Sequence, residues 1–292
     1  MFSPFAFLGK TFTGSQYPLD DIDDAVAAFS FRKLRSDYTG SIVTLKRTFD
    51  NSDQTFGLVG DYLDTGSVET FCSAGGGVCS VVTWFNQARK NTDSGSFWDL
   101  GGGSFRPDYV NTPDLTPATG SISAIQFDAA EDTLTLSGLS GTAASFTTSS
   151  TEMWVIYGDS GSSAGAYSLF DGTTPRGIQW QGGPVTGEII VQPSASVTAS
   201  VDFAVVPTSS ILGGVLSNGT EFKAWADGDL QGSASISTGA GGTISGYGGA
   251  SPGVYRGGYH YEYIRWNKKL EDTIIEGLME AANQFYDTPN YS

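Results

Sequence analysis

Thiol and imidazole chemistry in this chain rests on three side chains, Cys72, Cys79 and His260. The cysteines have six residues between them, too wide for a C-x-x-C redox or zinc pair, and His260 is far away in sequence, which excludes both chemistries. Two readings of the pair remain. One is a short disulfide loop, stabilising by about 2–3 kcal/mol in an oxidising compartment; the other is two reduced cysteines flanking a glycine-rich turn. Among the carboxylates, Asp128 and Asp132 are spaced to hold a structural calcium ion through a turn, without the further ligand spacing of a dedicated calcium loop. No other cofactor is expected.

The elements that must position these groups are strands. The chain has 292 residues, 39 of them glycine, and 39% hydrophobic residues with many aromatics, a composition suited to short strands joined by tight turns. Its 31 acidic residues outnumber 15 basic ones, for a net charge of −16, so a phosphate backbone would be repelled and nucleic acid is excluded as a partner. No run of about 18 apolar residues occurs, which excludes a membrane-spanning helix.

The start, MFSPFAFLGKTFTGSQYP, lacks a basic segment before its apolar residues and is interrupted by Pro4, unlike a secretory signal. Residues 1–18 read instead as an aromatic docking arm, and residues 19–292 as one domain. Phe2, Phe5, Phe7 and Phe12 each gain about 1.5–3 kcal/mol on burial, so the arm is expected to dock, either on its own body or on a neighbouring subunit.

After the arm, PLDDIDDAVAAFSFRKL reads as a short helix with Asp20 or Asp21 as cap. From Ser41 onward apolar and polar residues alternate, in IVTLKRTF, TFGLV and SVVTWF, as half-buried strands do. Residues 88–120 are rich in Gly, Asp, Asn and Pro and read as a long surface connection. Further strands follow from SAIQFD to GGYHYEYIRWN, with Asn218-Gly219 and Asp227-Gly228 as hairpin turns. The segment KKLEDTIIEGLMEAANQFY places Leu270, Ile274, Leu278 and Ala281 or Ala282 on one face, an amphipathic helix capping the sheet. Many strands and one terminal helix, without βαβ alternation, indicate an all-β sandwich.

The segment from Ala27 to Gln87 carries Arg32, Leu34, Tyr38, Thr39 and Gly40 as R-x-L-x-x-x-Y-T-G, then Phe71-Cys72, Cys79 and Asn86-Gln87. In this it resembles the start of the catalytic domain of α-L-arabinofuranosidase B, with Asn86 where that family has aspartate. The second half resembles concanavalin- and laminin-G-like domains at Gln126-Phe127-Asp128, Phe222 to Gly228 and Tyr259 to Asn267. The resemblance implies a concanavalin-like jelly-roll sandwich with an N-terminal arm and a C-terminal amphipathic helix. It also implies where two catalytic carboxylates, about 5–5.5 Å apart in a retaining glycosidase, would lie. The acid/base aspartate follows a G-x-G-G element, but here Gly246-Tyr247-Gly248-Gly249 is followed by Ala250. An alanine donates no proton, so no catalytic residue is expected. Glu188 is the one carboxylate near the nucleophile region; Asp227, Asp229 and Glu262 are the other candidates for an active enzyme, with Glu262 read as a structural hydrogen-bond partner in a strand.

Trp180, between Gln179 and Gln181, and Tyr247 and Tyr255 fall in regions that resemble the family's substrate groove and are candidate carbohydrate platforms. The alternative for Trp180 is a core position in its strand. The Arg32-Lys33-Leu34-Arg35 start and the terminal helix also resemble modules of tailed-bacteriophage structural proteins. That resemblance implies a non-enzymatic virion protein, a capsid decoration, head-fibre or tail component. It would form a homo-oligomer, meet other virion proteins through its arm, and adsorb to host-surface glycans. A secreted arabinofuranosidase-type hydrolase is the alternative.

Overall fold

The computed structural model describes residues 16–47, 49–74, 79–88, 97–100, 104–106, 124–127, 133–137, 149–158, 166–171, 174–182, 187–194, 197–203, 209–217, 220–236, 246–249 and 258–286. Among these, a one-turn helix α1 (Pro18–Asp21) leads into β1 (Ala27–Ser30), β2 (Val43–Arg47), β3 (Asp53–Phe56), β4 (Leu58–Val59) and β5 (Tyr62–Leu63). Helix α2 (Thr65–Ser73) precedes β6 (Cys79–Phe85), β7 (Phe97–Leu100), β8 (Ser104–Arg106), β9 (Ala124–Phe127) and β10 (Thr133–Ser137). Then come β11 (Ser150–Gly158), β12 (Ala166–Asp171), β13 (Thr174–Gly182), β14 (Gly187–Ser194), β15 (Val197–Phe203) and β16 (Ser209–Ser217). The remaining elements are β17 (Glu221–Ala226), β18 (Asp229–Ser235), β19 (Gly246–Gly249), β20 (Gly258–Trp266) and α3 (Asp272–Tyr286).

The strand pairs form two antiparallel runs. One runs β18-β17-β16-β11-β20, with β1 and β9 sharing the far edge of β20. The other runs β3-β2-β6-β7-β10-β19-β12-β13-β14-β15. Strand β8 joins them, pairing with β6 and with β9. The far ends meet face to face: a Cβ built on Gly232 of β18 would lie 3.0 Å from the Val201 side chain of β15. The result is the expected all-β sandwich.

Strand register divides the core in two. The row Phe29–Tyr263–Trp154 across β1, β20 and β11 faces the interior, where it meets Trp84, Val81 and Leu45. The neighbouring row, Ala28–Ile264–Met153, belongs to the opposite face and is covered by Ile275, Leu278, Met279 and Ala282 of α3. Burying both faces makes β20 the central strand. The terminal helix is thus as read from the sequence, with Leu278 and Ala282 on its buried face and Leu270 in the same core just before it. Thr151 sets its approach: the hydroxyl accepts from Leu270 N at 3.0 Å and donates to Lys268 O at 2.9 Å.

Three expectations need correction. The helix expected over residues 18–34 is a single turn, with Tyr17 rather than an aspartate at its N-cap, and Asp20 accepts instead from Ser36 N. Its continuation is β1, whose four residues are all buried; a strand covered on both faces loses the alternation that distinguishes it from a helix. The connection expected over residues 88–120 contains β7 and β8, each too short to show a period. Helix α2 was not anticipated, although Asp64 caps it in the usual way, accepting from Ser67 N at 3.1 Å.

Cys72, near the end of α2, is disulfide-bonded to Cys79, the first residue of β6. The bond pins helix to strand inside the core, since both sulfur-bearing residues are buried, rather than holding a surface turn. Replacing both cysteines with alanine should lower the unfolding free energy by about 2–3 kcal/mol, read from the urea midpoint of oxidised protein.

Candidate functional site

Two of the residues that carry the sequence resemblance, Arg32 and Gln87, meet in one buried cluster. Arg32, 2% exposed, forms a bidentate pair with Glu262 of β20: Nε donates to Oε2 at 2.7 Å and Nη2 to Oε1 at 2.9 Å. Ser30 Oγ and Tyr286 OH also donate to Oε2, at 3.0 and 2.9 Å. The guanidinium stacks over the rings of Phe285 and Tyr286 and donates through Nη1 to Gln16 O at 3.2 Å. Burial opposes the charge on Arg32, but the adjacent Glu262 carboxylate outweighs it and holds the guanidinium above its ordinary range. The Tyr286 hydroxyl is pushed well up by burial and then by the Glu262 charge, so it stays protonated as a donor. Both oxygens of Glu262 accept from these donors, Oε2 from three and Oε1 from one. This carboxylate is a tie between β20, the segment after β1 and the end of α3, as expected for a structural partner.

Gln87 completes the cluster. Its Nε2 donates to Ser30 O and Arg32 O at 3.0 and 2.9 Å, and its Oε1 accepts from Leu34 N at 3.0 Å. Beside it, Asn86 Oδ1 accepts from Ala28 N and Ala88 N, both at 2.9 Å. An aspartate would supply the same acceptor, so the departure from the family pattern at this position leaves the contact intact. Tyr38 OH donates to Ser41 O at 2.6 Å, and burial pushes its hydroxyl up to about 12. The ring lies so close to Gly40 that a Cβ there would sit 2.7 Å from the hydroxyl oxygen, which accounts for glycine after Tyr38-Thr39.

A second buried pair lies on the interior face. Glu152 of β11 and Arg265 of β20 are register partners, with Oε1 and Nε 3.7 Å apart and neither side chain more than 1% exposed. Burial pushes the Glu152 carboxyl up to about 7 against the opposing charge of Arg265, and burial pulls His260 down to about 3. A carboxyl titrating near neutrality has the proton affinity of a general acid. Its sealed position denies it a substrate.

These two groups give opposite pH dependences. Glu152 holds its proton more tightly folded than unfolded, so its contribution is full below about 4.5 and is lost as pH rises through about 7. The contribution of neutral His260 is full above 6.5 and is lost as pH falls toward 3. Between about pH 6.5 and 8 the Glu152 loss exceeds the last of the His260 gain. Unfolding free energy from urea titrations should fall there by roughly 0.5 kcal/mol, and Glu152→Gln should turn that fall into a small rise.

The candidate carbohydrate residues fall on the other run of strands. Tyr247 lies on β19 in register with Leu134 of β10 and Leu169 of β12. Trp180 lies on β13 opposite Tyr167 and Ile189, and that row continues to Val201, a core residue. The alternating row, Gln181–Glu188–Asp202, belongs to the other face of the same strands. Asp227 and Gly228, both at positive φ, form the two-residue hairpin turn between β17 and β18 that the Asp-Gly pair predicts, with Asp229 next to it. Phe2, Phe5, Phe7, Phe12, Asp128, Asp132, Ala250 and Tyr255 lie outside the described residues. No group of three or more metal-ligating side chains occurs among the described residues.

With this geometry established, comparison with known structures places the architecture. The chain superposes on an arabinofuranosidase complexed with arabinofuranosyl-α-1,2-xylobiose, with TM-score 0.62 and 14% identity, covering 92% of this chain and 64% of that one. The fold is an arabinofuranosidase-like β-sandwich. A GH54 α-L-arabinofuranosidase soaked with a cyclic sulfate inhibitor gives TM-score 0.56 at 13% identity, with the same coverage of 92% and 64%. This β-sandwich therefore spans about two-thirds of the length of the enzymes it matches. No protein-family model and no curated protein sequence matches the chain.

Proposed function

We propose that this β-sandwich is a non-hydrolytic carbohydrate-binding protein, carried as a structural component of a tailed-phage virion and contacting host-surface glycans. The observation that carries the reading is a fold shared with arabinofuranosidases in which Ala250 follows the Gly246–Gly249 strand. A proton donor is required there by the family's mechanism, and alanine has none. The buried carboxylate of Glu262 is occupied by Arg32, Ser30 and Tyr286 and has no role left for a substrate.

The sugar-contacting surface is assigned to the run β10-β19-β12-β13-β14. Its outward side is the row Gln181–Glu188–Asp202, on the face opposite the row that Trp180 shares with the core residue Val201. The polar row Gln181–Glu188 supplies hydrogen-bonding side chains of the kind that fix sugar hydroxyls. The virion setting is supported by the Arg32-Lys33-Leu34-Arg35 start and by an aromatic segment before Gln16 suited to docking on a partner.

A glycan array probed with the purified chain tests the reading. Retention on a defined set of glycans, lost in both Gln181→Ala and Glu188→Gln while the urea midpoint is kept, is the expected outcome. Absence of retention on every glycan sinks sugar recognition. Trp180→Ala separates the two positions open to that residue: its register with Val201 leads us to expect a stability loss of about 3–5 kcal/mol rather than a pure binding loss.

A further inference from the structure

We propose that the Cys72–Cys79 disulfide is a redox-operated latch: oxidised, it closes α2 against one end of the interior, and reduced, it lets the helix swing away from a sandwich that stays folded. The chain on either side of α2 is held without the bond. Before the helix, Leu63 N donates to Phe31 O at 2.9 Å and Asp64 N donates to Gly57 O at 3.1 Å. After it, Cys79 heads β6 and is the register partner of Arg47 on β2 and of Phe105 on β8. Cys79 is thus held from two sides, and Cys72 is fixed to the sheet through its sulfur.

The helix has a weaker hold of its own. It is nine residues long, below the length of about 12 that persists alone in water, and its buried residues are Val68 and Cys72. Phe71, half-buried, packs on Phe56 with ring centroids 5.6 Å apart and lies 4.8 Å under the Arg47 guanidinium, whose Nη1 donates to Phe71 O at 3.3 Å. The same guanidinium donates through Nε and Nη2 to the exposed Asp50, so this clamp sits at the rim, where ion pairs contribute little. Val68 and Cys72 belong to one interior cluster with Phe56, Leu63 and Val81, and an outward swing of α2 uncovers that end of the core. Cys72 and Cys79 are 3% and 0% exposed, so a reductant reaches the bond only in molecules whose helix has already moved. A dithiol then attacks one sulfur as its thiolate, forming a mixed disulfide, and its second thiol displaces that bond. The dithiol leaves as a cyclic disulfide, and the two cysteines, having gained two electrons and two protons, are left as thiols. An oxidised dithiol reverses these steps and sets the latch.

The latch does not rest on the sugar-binding proposal, and its failure leaves that reading intact. Amide hydrogen exchange of the full-length chain, followed by mass before and after treatment with dithiothreitol, tests it, with alkylation reporting the free thiols. Losing the cross-link lowers global stability and speeds exchange everywhere, so the readout is the difference between regions. Reduction is expected to accelerate exchange over residues 64–74 at least about tenfold more than over β11 and β20. Cys72→Ala with Cys79→Ala should show the same excess without reductant. Equal acceleration in the two regions overturns the proposal, whether both changes are nil, because rim contacts would then hold the helix unaided, or both are large, because the bond would then support the whole sandwich.

Discussion

Glu262→Gln should lower the unfolding free energy by about 3–5 kcal/mol, measured by urea denaturation at neutral pH. The size follows from what is left behind. Arg32 is 2% exposed and keeps its charge because the carboxylate opposes the burial that would remove it. A glutamine leaves that guanidinium buried without a counter-charge and presents an amide to donors that expect an acceptor. Arg32→Met should cost as much by stranding the carboxylate. The double change, Arg32→Met with Glu262→Met, should cost less than the sum of the two, because it removes both charges and leaves apolar groups against Phe285. Additive losses would show that the residues do not act as a pair. A loss below about 1 kcal/mol in either single variant would mean that water reaches the cluster.

Trp84→Ala should cost a similar amount, about 3–5 kcal/mol. Trp84 is 1% exposed on β6, with its ring 5.4 Å from both Phe29 and Phe31, stacked on the latter and tilted against the former. Those phenylalanines belong to or directly follow β1, on the other run of strands, so Trp84 fills the space between the two layers. Deleting the indole leaves a cavity lined by aromatic rings, held apart by strand pairs on either side, that cannot collapse cheaply. Trp84→Phe should recover most of the loss. Unfolding should remain a single transition in both variants, since the ring row Phe29–Tyr263–Trp154 ties the same core together.

Much of the architecture was legible from residue order. The alternating strands, the Asp227-Gly228 turn and the terminal helix appear where apolar periodicity put them, because each has one buried and one less buried face. Strand β1 was read as helix for the opposite reason: Ala27, Ala28, Phe29 and Ser30 are buried on both sides, so no period survives in their sequence. Arg32, Tyr38, Gly40 and Gln87 were visible as a signature, but their chemistry was not. Only the fold shows that Arg32 meets Glu262, 230 residues away, and that Gln87 caps the backbone of Ser30, Arg32 and Leu34. Within the signature, Arg32 and Gln87 therefore mark a clasp that builds the sandwich. The Glu152–Arg265 pair left no sequence signal, because neither residue has a recognisable neighbour and their partnership is set by the register of β11 and β20.

The most direct test incubates the purified chain with an arabinofuranosyl-substituted xylo-oligosaccharide and follows complex formation by calorimetry and free arabinose by chromatography in the same sample. The account predicts no arabinose released above a protein-free control, whether or not the oligosaccharide is bound. Release that scales with protein concentration, and is abolished by Glu188→Gln or by Asp227→Asn, would contradict it and make the chain a hydrolase.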